Sequence, residues 1–100
     1  MTITLEVSGG IAAPLGPQVI TVDLDRLPAA DAAALRAAVG AVPATVWGQA
    51  LLAPHPHPGD LRHVLRVDDG GTARVVTFHP RAAPPALGVL AGHLLARGPS

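Results

Sequence analysis

Five histidines, seven carboxylates and a Ser-Gly-Gly step are the residues of this chain with chemistry to offer. The densest grouping is His55 and His57, alternating with proline in the stretch Ala-Pro-His-Pro-His-Pro-Gly-Asp over 53–60. A pair of imidazoles suggests a metal. Alternating proline, however, favours a polyproline helix, in which positions i and i+2 point roughly 240° apart and cannot converge on one ion. No cysteine exists to complete the tetrahedral set that structural zinc requires. His55 and His57 are thus the only metal candidates, and a solvated loop is the plainer reading.

The remaining groups give less. His63, His79 and His93 are scattered along the chain and read as packed or surface residues. Asp23, Asp25, Asp60, Asp68 and Asp69 fall at turns and helix starts, where Asp caps backbone. No G-x-S-x-G elbow marks a nucleophile. Ser8-Gly9-Gly10 does not open a phosphate-binding loop, since no G-K-[ST] follows and the chain has no lysine. These residues point away from an enzyme and imply no cofactor.

Composition narrows the classes further. One hundred residues suit one domain spanning 1–100. A formal charge of zero lacks the basic footprint of a nucleic-acid binder. No apolar run reaches the length of a membrane span. The opening Met-Thr-Ile-Thr-Leu-Glu-Val-Ser has neither the basic nor the apolar region of a signal peptide, so the expected location is the cytoplasm.

The elements that must carry any site are legible from pattern. Residues 61–78 hold two alternating runs joined at Asp68-Asp69-Gly70-Gly71, the turn chemistry of a tight hairpin. Residues 2–8 and 18–24 alternate in the same way and predict two more strands, antiparallel to each other. Between them lies a loop, 9–17, carrying three glycines, Pro14 and Pro17, with Ile11 and Leu15 as isolated apolar residues.

Leu27-Pro28 opens a helix whose stripe is Ala32, Leu35, Ala38 and Val39, ending at Gly40 or Pro43. Residues 44–52 suggest a short helical turn with Trp47 as a lid on the core. Pro84-Pro85 open a second helix, with Leu87, Leu90, Ala91, Leu94 and Leu95 spaced as one apolar face. The order β-β-α-β-β-α predicts an α+β domain in two layers, a four-stranded antiparallel sheet with both helices on one face.

Four segments in this order carry a resemblance: Ile-Thr-Leu-Glu-Val-Ser-Gly-Gly-Ile-Ala, the helix entry from Asp23 through Leu27-Pro28 to Val39, His63 to Gly71 with Val76-Thr77-Phe78, and Pro84 to Leu95. Together they resemble the emfourin family of small bacterial proteins over nearly the whole chain. The most specific pieces are Val7-Ser8-Gly9-Gly10, Asp25 to Pro28 with Leu35, and Val67 to Gly71, all of them turn and core signatures.

The resemblance implies a reversible, non-covalent inhibitor of thermolysin-like zinc metallopeptidases such as protealysin. On that reading the loop from Gly9 to Pro17 enters the peptidase cleft. Ser8, Gly9, Gly10, Ile11 and Leu15 then make the contact, Ile11 or Leu15 filling the apolar pocket beside the zinc. His55 or His57 reaching the enzyme's metal is a second option. The alternative function is a non-inhibitory interaction module for a co-produced enzyme.

Overall fold

The structure is a computed structural model that describes residues 1–8, 18–52 and 61–97. Its centre is the hairpin of β4 (Arg62–Asp69) and β5 (Thr72–Phe78). Gly70 and Gly71 have φ of 60° and 92°, both in the left-handed region that side chains resist. Asp69 therefore pairs with Thr72, and the register runs on through Leu65–Val76 to His63–Phe78.

The N-terminal strand, β1 (Thr2–Ser8), lies antiparallel on the other side of β4, pairing Leu5 with Leu65 and Ser8 with Arg62. Next to β1 lies β2 (Gln18–Asp23), also antiparallel, from Thr2–Asp23 to Val7–Gln18. Because opposed residues share a face, Ile3, Leu5, Ile20, Val22, Leu65, Val67, Val76 and Phe78 point one way and are all buried.

Two helices cover that face. The first, α1 (Ala29–Gly40), starts after Pro28, and the second, α2 (Pro85–Leu95), carries proline in its first turn where no N–H is needed. Ala32, Leu35, Ala38 and Val39 of α1 join Leu87, Leu90, Ala91 and Leu94 of α2 in one cluster with the sheet. Leu95, by contrast, is 41% exposed. Eight residues after Leu87 it lies roughly 80° round the helix, beyond the edge of the buried stripe.

The sheet has five strands and is mixed, not four-stranded and antiparallel: its order is β2-β1-β4-β5-β3. The added strand is β3 (Ala50–Leu51), in the segment expected to be a helical turn. Only Ala44–Val46 is helical there, as one 3-10 turn. Gly48 then adopts φ 83°, and the chain runs parallel to β5 along its outer edge.

Backbone bonds fix that contact: Gly48 N–H donates to Val75 C=O at 2.6 Å, Thr77 N–H to Gln49 C=O at 3.1 Å and His79 N–H to Leu51 C=O at 2.8 Å. Trp47 packs against the core beside them, and the Arg74 guanidinium lies 5.1 Å from its ring centroid, within cation–π range. The sequence pattern hides this strand because two residues are too few to show alternation.

One substitution tests how these glycines differ. No heavy atom outside the local chain lies within 4 Å of a Cβ built on Gly71 or on Gly92. Gly71→Ala is expected to destabilise by about 1–3 kcal/mol through backbone strain alone. Gly92→Ala, inside α2, should stabilise by about 0.4–1 kcal/mol. Urea unfolding of both variants measures the opposite signs.

Candidate binding site

Five strand termini meet at one end of the sheet. At the last rungs Val7 faces Gln18 and Ser8 faces Arg62, so β1 ends where β2 and β4 begin. On the other side Phe78 pairs with both His63 and Leu51, which brings the ends of β5 and β3 to the same level. The chain leaves this rim at Ser8 and returns at Gln18. It leaves again at Leu52 and returns at Leu61.

Of the residues predicted to contact a partner, Ser8 is placed here, half-buried and held in register against Arg62. Gly9, Gly10, Ile11 and Leu15 lie outside the described residues, as do His55 and His57. Leu52 and Leu61, the described residues that border 53–60, are 43% and 40% exposed.

Beneath the rim the structure brings together two histidines that sequence reading left apart. His63 shares the buried face with Leu65 and is only 5% exposed; His79, one residue past β5, is 7% exposed. The His63 ring meets Phe78 edge-on, with centroids 5.1 Å apart and planes at 80°. Its Nδ1 is buried and has no hydrogen-bond partner. Burial, and secondarily the neighbouring His79, lower the His63 pKa below its ordinary 6.5.

His79 is tied into the backbone. Its Nδ1 accepts a hydrogen bond from Arg81 N–H at 3.0 Å, capping the 3-10 turn Pro80–Ala82. In neutral His79 the proton therefore sits on Nε2. The third histidine of the described chain, His93, is exposed on α2. The juxtaposition of His63 with the end of β5 was available from the hairpin: once Asp69 pairs with Thr72, His63 must oppose Phe78.

Three carboxylates, Asp23, Asp25 and Asp68, serve local structure at the opposite end. Asp23 Oδ1 accepts from Asp25 N–H at 3.0 Å, and Asp23 pairs with Arg26 at 3.6 Å. Asp25 lies 3.6 Å from Arg36 and 3.9 Å from the N-terminal ammonium. Asp68 accepts both bonds from Arg66 Nε, at 3.0 and 3.1 Å, and this partner raises the Arg66 pKa.

An open groove of about 430 Å³ there is lined by Thr21, Val22, Asp23, Arg26, Leu27 and Arg97. Its carboxylate faces an arginine across an ion pair, which leaves no acid and base poised as a couple. Among the described residues no three His, Asp or Glu side chains gather to hold a metal ion. What the rim offers chemically is contact: mixed apolar and cationic side chains on strand ends fixed by pairing.

Compared with known proteins, residues 5–95 match the family model named Emfourin. No curated protein and no solved structure matches the chain.

The acceptor role of His79 is testable. His79→Leu leaves the Arg81 N–H without this partner and should cost about 1 kcal/mol of stability. His79→Asn, whose Oδ1 can take the place of Nδ1, should recover most of the loss in thermal or urea unfolding.

Proposed function

The chain belongs to the emfourin family, and from that premise we propose that it is a reversible, non-covalent inhibitor of a thermolysin-like zinc metallopeptidase of the protealysin kind. It acts by occupying the enzyme's cleft and performs no reaction of its own. Family membership is the observation that carries this reading. The geometry that supports it is the rim, where neighbouring antiparallel strands are paired up to Val7–Gln18 and hold both ends of segment 9–17.

Cleft binding needs an element that enters the active site without presenting a cleavable bond in productive geometry. Segment 9–17 is our candidate, with Ile11 or Leu15 as the anchor in the apolar pocket beside the zinc. Gly9 and Gly10 permit close backbone approach, while Pro14 and Pro17 limit the conformations open to the free segment. A segment restricted before docking loses less entropy in the complex, so more of its contact energy survives as affinity. Ser8 belongs to the same contact as the fixed base of the segment.

Titration of a thermolysin-like peptidase with the purified protein tests the function. Stoichiometric loss of activity is expected. Binding that leaves activity intact would instead establish the non-inhibitory interaction module. Truncating the anchor, by Ile11→Ala or Leu15→Ala, should weaken inhibition by about 2 kcal/mol or more, as interface hot spots do. Unchanged inhibition constants in both variants, with the fold intact by circular dichroism, would rule out 9–17 as the inserted element.

A further inference from the structure

The His63 imidazole lies in the core, yet its Nδ1 is bonded to nothing. A leucine there would bury more apolar surface and leave no polar atom without a partner, so the fold alone does not account for this side chain. We propose that His63 is a proton-operated latch on the binding rim, closed when its ring is neutral and loosened on acidification, so that mild acid releases the partner peptidase. The release step rests on the inhibitor reading above; the latch itself does not.

The surroundings determine what a proton would meet. From β1 His63 faces Val7, and from β5 it faces Phe78, with His79 next in the chain. Along its own strand the next inward residue is Leu65. From β2 the inward residues at this end are Gln18 and Ile20, neither ionisable.

The buried face of α2 contributes Leu87, Leu90, Ala91 and Leu94, and its His93 is exposed. Buried Ala32, Leu35, Ala38 and Val39 are all that α1 gives to the core. The inward-facing charge of β5, Arg74, sits on Trp47 and opposite Val67, two rungs from Leu65–Val76 and four from His63–Phe78. Arg62 and Arg81 are the cations at the rim. The carboxylate among the described residues of this end is Glu6: exposed and paired with Val64 on the other face of the sheet, it does not face His63.

A proton on His63 therefore creates a buried cation with a second imidazole as its polar neighbour and, among the described residues, no anion facing it. Such a charge is relieved by letting water in. Burial lowers the pKa of His63 from 6.5 in the closed state, so the opened state binds the proton more tightly. The closed rim is fully favoured above the ordinary imidazole pKa. It loses stability as pH falls through that value toward the lowered one. Because Val7, Ser8 and Gln18 hold the base of segment 9–17, opening here frees that base, and docking must then order it again.

Two measurements decide the matter between about pH 7.5 and about pH 5.5, the interval over which imidazole titrates. In the free protein, NMR should show the His63 ring titrating below 6.5. Amide exchange of Val7, Ser8, His63 and Phe78 should accelerate on acidification relative to Ile3 and Thr4 at the other end of the sheet.

With thermolysin as the probe, the dissociation constant should rise severalfold over the same interval, and His63→Leu should flatten that rise. A ring that titrates at or above the ordinary value overturns the latch, as does an unchanged exchange ratio between the two ends. An identical pH dependence in His63→Leu does so too. If His63→Leu does not fold, the wild-type ring titration and exchange ratio decide alone. Absence of binding to thermolysin at both pH values removes the functional reading, and the exchange ratio then still decides the latch.

Discussion

Everything in this fold is arranged on the register of one hairpin. Two adjacent glycines at positive φ close a two-residue turn, and that turn admits only one in-plane alignment of β4 with β5. A slip of one residue would send Leu65, Val67, Val76 and Phe78 to the solvent side and bring Arg66 and Thr77 into the core. The same register places His63 against Phe78. The buried apolar row and the buried imidazole thus have one cause, and neither can be moved without the other.

The two edges of the sheet are treated differently. Along β5 the chain supplies its own cover: the turn at Gly48 lays Ala50–Leu51 beside Thr77 and Phe78, and Trp47 pins the segment by its contact with Arg74. That cover also brings Leu52 to the rim. At the far end of β2, Asp23 caps the 3-10 turn that leads into α1, and ion pairs from Arg26 and Arg36 surround it. These pairs are solvent-exposed and each contributes little to stability. Their consequence is positional, because they commit carboxylates to the end away from the rim.

Most of the framework was legible in the chain. The turn at Gly70-Gly71, the four long strands, both helices and the buried residues Leu35, Val39, Leu87, Leu90 and Leu94 all follow from alternation, helical spacing and breaker residues. What escaped depends on contacts distant in sequence. The pairing of β1 with β4 spans more than fifty residues and leaves no local mark. The strand β3 is defined by what it bonds to, not by its own two side chains. His63 sat in the apolar phase of its strand, between Leu61 and Leu65, and that phase was the available sign of burial. Of the predicted contact residues, Ser8 is placed at the rim, whereas Gly9, Gly10, Ile11 and Leu15 lie outside the described residues.

The allocation of side chains differs between the two ends of the sheet. Ion pairs and capping carboxylates sit at one end, where they fasten helix entries and the N-terminus. The other end is built from backbone pairing and apolar contact, with exposed leucines, Arg62 and Arg81 at its margin. The one imidazole drawn into the apolar row by the strand register has no anion facing it among the described residues, because Glu6 lies on the other face of the sheet. Burial disfavours its charged form, so the same register that builds the apolar row also lowers the pKa of the histidine it encloses.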